Sequence, residues 1–128
     1  MNTYMNIEEI RVKYYNGDYE CKMDIPYAVK ADHIFDENLS VKRNREMAEE
    51  HNIAIREMQK ERNTKNAELR KKLRYDVIHY IINTYDMSEA QAIIVEACVY
   101  NNHHSFMNEY FSAIDDMSAM VEEVLANN

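Results

Sequence analysis

Two adjacent histidines, His103 and His104, form the one cluster in the sequence that suggests a metal ion. Carboxylates follow them at Glu109, Asp115 and Asp116, and imidazole with carboxylate is a ligand set that zinc accepts. Adjacent histidines point in different directions, however, and neither an HxxxH nor an HxxE spacing accompanies them. We therefore predict no metal site and no cofactor.

Other signatures of catalysis are missing from the sequence. It has no GxSxG, no glycine-rich phosphate loop, no Cys–His nucleophile pattern and no paired-carboxylate motif. His79 lies between Ile78 and Tyr80 near the apolar side of a predicted helix, so we expect it to be packed rather than to act as a ligand or base. We predict no catalytic residues and a protein that is not an enzyme.

The composition is typical of a helical globular protein. Of 128 residues, 46% are apolar and 30% are charged, and there is one glycine and one proline, too few for most loop-rich β folds. Cys21 and Cys98 are far apart and have no CxxC spacing, and the longest aliphatic run covers only residues 92–95. No signal-peptide pattern is present. We therefore expect reduced thiols, no membrane span and a cytoplasmic location.

Residues 1–38 predict a β-hairpin and a connector. Apolar and polar residues alternate over residues 10–15 and again over residues 19–25. Between these two runs lies Asn16-Gly17, the pair best suited to the two positive-φ positions of a type I′ turn. A two-stranded hairpin is marginally stable alone, so its apolar face must pack against helices or against a partner.

Residues 39–128 predict a helical domain that begins with a long basic helix. Neither glycine nor proline interrupts residues 40–85, and helix-forming residues dominate there. The segment forms either one helix of about 45 residues or two helices that meet near Asn63. We favour one long helix, whose half-apolar side leaves a seam that a homodimer could bury.

Two more helices are predicted after the long one. Ser88 and Gln91 have the spacing of a capping box, which predicts a helix over about 88–101. A sustained apolar stripe predicts a last helix over about 105–126. The predicted fold is therefore α+β and mostly α, with an N-terminal β-hairpin, a long basic helix and a C-terminal acidic helical unit.

Charge is strongly segregated along the chain. The formal net charge is −8 in total, and it divides into about −4 for residues 1–40, about +5 for residues 41–74 and about −9 for residues 75–128. Residues 75–128 contain no lysine or arginine. Such segregation indicates either a solvated surface or a surface that docks on a partner of opposite charge.

Heptad spacing of the acidic residues predicts an ordered acidic face. Glu109, Asp116 and Glu123 recur every seven residues, and seven-residue spacing returns to one side of a helix. The face is either the solvated side opposite the core or a docking surface for a basic protein, including one that normally holds nucleic-acid phosphates. The candidate partner-binding residues are Glu89, Glu96, Glu109, Asp115, Asp116, Glu122 and Glu123.

A basic cluster on the long helix gives an alternative. Much of the helix charge has acidic residues at i, i+4 spacing and is expected to be paired, but one dense run has only Glu68 before it. Such a run could bind phosphates or an acidic partner, although no zinc-finger or RNP pattern surrounds it. The cluster consists of Arg70, Lys71, Lys72 and Arg74.

The chain is short, poor in glycine and proline, acidic, and rich in asparagine, tyrosine and methionine, and it contains the stretch LRYDVIHYIINTYDMSEAQAIIVEACVYNNHHSFMNEYF. In this composition the chain resembles the small accessory proteins of tailed phages. The stretch is similar in pattern to a helical module of such proteins. The resemblance implies a host-takeover or anti-defence protein, anti-CRISPR inhibitors included, that acts by stoichiometric binding; it assigns a role to no single residue.

These observations favour a non-enzymatic module that binds and inhibits a host protein through its acidic helical face. A nucleic-acid-associated protein that uses the basic helix is the alternative, and an enzyme of unrecognised type is the third class.

Overall fold

A computed structural model describes residues 4–127, and within that range the protein is all-helical. About 70% of the chain is helical and no strand is formed by the described residues, so the predicted α+β class is wrong. Residues 41–85 form one helix rather than two. The five helices in chain order are α1 Ile7–Tyr15, α2 Val41–Tyr85, α3 Glu89–His103, α4 Met107–Asp115 and α5 Ser118–Ala126.

The predicted β-hairpin is wrong because Asn16-Gly17 ends a helix instead of joining two strands. Asn16 caps the C-terminus of α1 with right-handed backbone angles, so Gly17 alone of this pair has a positive φ, of 86°. The Gly17 N–H donates to the Tyr14 carbonyl, and the Asp18 N–H donates to the Lys13 carbonyl, each at 3.0 Å. This pair of bonds is a Schellman motif, which needs a glycine where a hairpin would also need one.

Helix α1 forms because its apolar residues follow a helical period as well as an alternating one. Ile7 and Ile10 are buried and Tyr14 is half-buried, which is the i, i+3, i+7 pattern of one helix side. Val12, which lies in the apolar–polar alternation of residues 10–15 and would have been on the apolar face of the predicted hairpin, is exposed. The Asn6 side chain accepts from the Glu9 N–H at 2.9 Å and so caps the N-terminus of α1.

The chain divides into two compact units. The core unit consists of Met1–Glu20 and Leu69–Asn128, and the arm unit consists of Cys21–Glu68. Helix α2 contributes residues to each unit, and the division into residues 1–38 and 39–128 stays a prediction.

The hydrophobic core of the core unit lies among α1, the C-terminal part of α2, α3, α4 and α5. Buried residues of every one of these helices contribute to it, with Val121 from α5, and its fully buried members include Ile10, Leu73, Val77, Ile81, Val95, Phe111 and Ile114. Ser88 and Gln91 form the predicted capping box at the start of α3. The predicted helix over 105–126 is two helices, because the backbone of Asp116 leaves the helical region, with φ −112° and ψ 22°, so that α4 ends at Asp115 and α5 begins at Ser118.

Candidate functional site

One residue of the basic cluster, Arg74, and one residue of the predicted acidic face, Glu96, lie far apart in the sequence but meet inside the core unit. Arg74 Nη2 donates to Glu96 Oε1 at 2.7 Å, and Arg74 Nε donates to Glu96 Oε2 at 3.0 Å. The Glu96 side chain is only 1% exposed. Glu96 is therefore an internal ligand of Arg74 and does not contribute to an exposed acidic face.

Two tyrosines complete this buried polar network. The Tyr110 hydroxyl donates to Glu96 Oε2 at 2.8 Å, and the Arg74 guanidinium lies 3.8 Å from the centre of the Tyr100 ring. The hydrogen bond to Glu96 raises the pKa of Arg74, which keeps its charge at every ordinary pH. Burial and then the charge of Glu96 raise the pKa of Tyr110 far above its usual range. The network therefore holds an ion pair between α2 and α3, and a hydrogen bond from Tyr110 connects this pair to α4.

Most of the remaining basic cluster is also occupied within the core unit. Arg70 Nη1 donates to the Tyr100 hydroxyl at 3.2 Å, and the Lys72 ammonium lies 3.8 Å from Asp76 Oδ2. Asp76 accepts in addition from the buried Tyr19 hydroxyl at 2.6 Å. Lys71 is exposed. The run that looked unpaired in the sequence therefore presents few free cations.

The other predicted acidic residues lie at the surface of the core unit. Asp115 pairs with Arg11 at 2.7 Å, and this bond joins α4 to α1. Glu109 lies 4.0 Å from His103 Nδ1, a pair that is ionic only when the histidine is protonated. Among residues 4–127, no ion pair or side-chain hydrogen bond involves the exposed carboxylates of Glu89, Asp116, Glu122 and Glu123.

The heptad argument for a single acidic helix side does not hold in this fold. Glu109 lies on α4, Asp116 follows the end of that helix and Glu123 lies on α5. Seven-residue spacing places residues on one side only while the helix continues. We define the C-terminal acidic surface by the exposed acidic residues that follow α3 and are not paired with Arg11, namely Glu109, Asp116, Glu122 and Glu123.

The two adjacent histidines make contacts with different residues. The His104 ring stacks on the Tyr100 ring with centroids 5.3 Å apart, and its Nδ1 lies 3.1 Å from the Tyr100 carbonyl oxygen. No group of three His, Cys, Asp or Glu residues within 4–127 is arranged to hold a metal ion. His79 packs between the rings of Tyr4 and Tyr75, at 4.7 and 4.1 Å.

Within the arm unit, the segment of residues 21–40 that precedes α2 is here called the arm. Asparagine side chains of α2 form hydrogen bonds with the backbone of this segment. Asn66 Oδ1 accepts from the Cys21 N–H at 2.6 Å. Asn52 accepts from the Val29 N–H at 2.9 Å and donates to the Val29 carbonyl at 2.8 Å. An asparagine amide can accept and donate at once, so Asn52 replaces a pair of strand-like hydrogen bonds to Val29. The arm therefore runs antiparallel to this part of α2.

Asn44 has the largest share of these contacts. It is only 5% exposed, and its Oδ1 accepts from the Phe35 and Asp36 N–H groups at 2.9 and 3.2 Å. Its Nδ2 donates to the carbonyls of Asp36, Leu39 and Ser40 at 3.0, 3.4 and 3.2 Å. This one side chain fixes the bend that leads from the arm into α2.

Part of the apolar side of α2 is buried within the arm unit, and the homodimer stays a prediction. Ala48 and Ile55 are buried on the same side of α2 as Asn44 and Asn52. The asparagines were missed in the sequence although a signal was present. Asn44, Asn52 and Asn66 are poor helix formers spaced by close to whole numbers of turns.

Comparison with known proteins finds no matching family model, no matching curated protein and no matching solved structure. Within residues 4–127, no helix combines the length and the apolar character needed to cross a bilayer.

Proposed function

We propose that the protein is a non-enzymatic binding module that docks on a basic protein through the C-terminal acidic surface. The observation that carries this proposal is that, among the described residues, most basic side chains of the cluster have partners within the core unit, whereas several acidic side chains do not. Of the basic cluster, Arg74 is paired with buried Glu96, Lys72 lies near Asp76 and Arg70 is hydrogen-bonded to Tyr100, whereas the carboxylates of the C-terminal acidic surface at Asp116, Glu122 and Glu123 are exposed. The charge left for a partner is therefore negative.

Electrostatics gives this surface a physical use. The core unit has six basic and thirteen acidic residues, hence a formal charge of −7. Unpaired surface charge contributes little to folding, but it steers a partner of opposite sign and raises the association rate. A protein surface that normally binds nucleic-acid phosphates offers the required positive charge.

The same observation weighs against nucleic acid as the ligand. Phosphate binding needs several free lysine or arginine side chains, because each one displaces a counterion. Arg74 forms a bidentate pair with buried Glu96, and Arg70 is bonded to Tyr100. Releasing Arg74 to a phosphate would leave an unpaired carboxylate in the interior, at a cost of several kcal/mol.

Occupying a basic surface would make the protein a stoichiometric inhibitor. This agrees with the resemblance to accessory proteins of tailed phages, from which we infer an anti-defence role, of the anti-CRISPR kind, in the host cytoplasm. No step of this function requires a catalytic residue or a cofactor.

The test compares three versions of the purified protein as bait in bacterial lysate. They are the wild type, an acid-reversed variant and a matched control with the same charge change in the arm unit. The acid-reversed variant carries Asp116→Lys, Glu122→Lys and Glu123→Lys. The control carries Glu49→Lys, Glu57→Lys and Glu68→Lys, all at exposed positions of α2.

We expect the bait to capture a basic protein. Calorimetry should show that this protein binds the wild type and the control, each in a complex close to one to one. Binding should weaken by at least about tenfold for the acid-reversed variant and should fall with salt. A partner that binds the acid-reversed variant as tightly as the wild type would refute docking through this surface.

A further inference from the structure

A cavity of about 340 Å³ opens in the arm unit where the arm leads into α2. The arm contributes Asp32, Ile34, Glu37 and Leu39 to its wall, and α2 contributes Val41 and Arg45. Buried Asn44 also lines the cavity, and its amide forms hydrogen bonds with the backbone of residues 35–40 and so fixes the bend. Small-molecule sites have volumes of about 300–1,000 Å³, so the cavity is large enough for a small organic ligand.

Three aliphatic side chains of the wall are open to solvent. Ile34 is 63% exposed, Leu39 is 39% exposed and Val41 is 69% exposed. The bend in residues 34–41 gathers them around one cavity. An apolar group that enters the cavity removes this surface from water, which is favourable. The cavity therefore favours a ligand with an aliphatic group.

Charges of both signs line the same cavity. Asp32 and Glu37 supply exposed carboxylates, and Arg45 supplies an exposed guanidinium. Among residues 4–127, no ion pair or side-chain hydrogen bond involves any of these three side chains. Nearby Arg43, in contrast, is paired with acidic residues of its own helix. The cavity therefore offers both an anion and a cation to a ligand.

We infer that this cavity binds a free aliphatic α-amino acid such as leucine. The side chain of the ligand fills the space among the three aliphatic residues of the wall. Its carboxylate accepts hydrogen bonds from Arg45, since a guanidinium matches a carboxylate in shape and charge. Its ammonium group donates to the carboxylates of Asp32 and Glu37.

The combination of charges distinguishes this ligand from related ones. An apolar anion such as a fatty acid matches Arg45 but meets two carboxylates, and an apolar amine matches the carboxylates but meets Arg45. A terminal residue of a polypeptide has only one of the two charged groups. A free amino acid has both, so it leaves neither sign of charge in the wall opposed.

This inference is separate from the proposed function. The cavity belongs to the arm unit, whereas the C-terminal acidic surface belongs to the core unit. Binding of an amino acid can therefore fail while docking on a basic protein succeeds, and the reverse.

The first measurement is a titration of the isotope-labelled full chain with leucine, followed by nuclear magnetic resonance. The amide signals of residues 31–45 should shift and saturate, with a dissociation constant of ~1 mM or tighter for so small a ligand. Glycine has the same two charged groups but no side chain, and it should bind at least about tenfold more weakly.

Two analogues of leucine test the charged groups one at a time. Leucinamide keeps the ammonium group and lacks the carboxylate, as does the first residue of a polypeptide. N-acetylleucine keeps the carboxylate and lacks the ammonium group, as does the last residue. Each should bind at least about tenfold more weakly than leucine, because each loses a charge-assisted hydrogen bond. An analogue that binds as tightly as leucine would overturn the inference in favour of a polypeptide terminus.

Variants of the chain should remove each preference separately. In Arg45→Gln, leucine should bind no better than leucinamide, while it still binds better than N-acetylleucine. In the double variant Asp32→Asn with Glu37→Gln, leucine should bind no better than N-acetylleucine, while it still binds better than leucinamide. Arg56→Gln is the matched control, since Arg56 is exposed on α2 outside this cavity, and it should keep both preferences.

A structural disturbance would weaken every ligand alike, so the change in preference identifies the charged contacts. Leucine that causes no saturable shifts in residues 31–45 up to about 20 mM would overturn the site. Preferences that are the same in Arg45→Gln as in Arg56→Gln would overturn the assignment of the ligand.

Discussion

Arg74 and Glu96 form a bidentate ion pair whose two members differ sharply in exposure. Their atoms meet at 2.7 Å and 3.0 Å, and the side chain of Arg74 is 33% exposed while that of Glu96 is 1% exposed. Removing a charge from such a pair costs most when the charge left behind is the buried one. The pair therefore links α2 to α3, and losing the Arg74 charge should cost more free energy of unfolding than losing the Glu96 charge.

We predict that Arg74→Met lowers the free energy of unfolding by about 3 kcal/mol, because it leaves the Glu96 carboxylate buried without its partner. Glu96→Gln should cost less, about 1–2 kcal/mol, because the guanidinium that remains can reach solvent. Urea denaturation measures both values.

The double variant Arg74→Met with Glu96→Gln separates this explanation from a loss of packing. It should be more stable than Arg74→Met alone, since the unpaired buried charge is gone. Lys71→Met, at an exposed neighbour in the same basic cluster, should change stability by less than about 0.5 kcal/mol. A double variant that is less stable than Arg74→Met would contradict the account.

The buried Tyr110 hydroxyl predicts a loss of stability in alkali. Burial and the neighbouring Glu96 charge raise the pKa of Tyr110 in the folded protein, whereas an unfolded tyrosine ionises near pH 10. Above about pH 10 the unfolded state binds fewer protons than the folded state, so the free energy of unfolding falls, by up to ~1.4 kcal/mol per pH unit. Below about pH 9 this contribution is fully present.

Tyr110→Phe provides the control, because it removes one titrating group and its share of the slope. We expect the difference in stability between wild type and variant to be constant below about pH 9 and to shrink between about pH 10 and pH 11. Burial and the hydrogen bond to Asp76 raise the pKa of Tyr19 as well. Tyr19 is present in both proteins, so its contribution cancels in the difference in stability between them. Parallel pH profiles would exclude Tyr110 as the source.

Asparagine clamps on α2 predict site-specific protection of the arm from trypsin. Asn52→Ala removes both hydrogen bonds to Val29, and it should speed cleavage after the exposed Lys30 by about fivefold to thirtyfold, equivalent to about 1–2 kcal/mol of local opening. Asn66→Ala should act instead on cleavage after Lys22, beside the bonded Cys21. Mass spectrometry of early products identifies the bond that is cut.

Asn63→Ala is the matched control, since Asn63 lies exposed on the same helix. It should leave both cleavage rates unchanged. If the three variants accelerate the same cleavages equally, the effect comes from α2 as a whole and not from individual clamps.

How far the fold could be predicted depended on whether a local pattern had one structural meaning. The capping box at Ser88 and the absence of helix breakers in residues 40–85 each have a single local meaning, and the corresponding helix starts and continues as predicted. Asn16-Gly17 has two, because a type I′ turn and a Schellman cap both require glycine at a positive φ. The helical spacing of Ile7, Ile10 and Tyr14 decides between them.

The candidate site was harder to predict because its contacts join distant residues. The spacing of Glu96 within the sequence gave no indication that it is buried against Arg74, which is 22 residues earlier. The alternation from Cys21 to Ile25 correctly indicated a segment with one side covered, but the cover is a helix that hydrogen-bonds through asparagine side chains instead of a second strand. Local sequence patterns do not specify which element supplies such a partner.

The internal use of the basic cluster also predicts weak binding to DNA. Arg74 is held by Glu96 and Arg70 by Tyr100, and both are half-buried, whereas Lys71 and Lys72 are exposed and Lys72 lies near Asp76. Two cations displace few counterions, and the surrounding unit has a formal charge of −7. We expect duplex DNA to bind no more tightly than about 10⁻⁴ M at physiological salt, measured by fluorescence anisotropy.

Lowering the salt concentration should strengthen that DNA binding only slightly, with a shallow slope of log affinity against log salt. Lys71→Glu with Lys72→Glu should then change little, because there is little binding to lose. The competing result is micromolar binding that falls steeply with salt and disappears in this double variant. That result would mean that the cluster leaves its internal partners when phosphates are present, and it would favour the nucleic-acid function over docking on a basic protein.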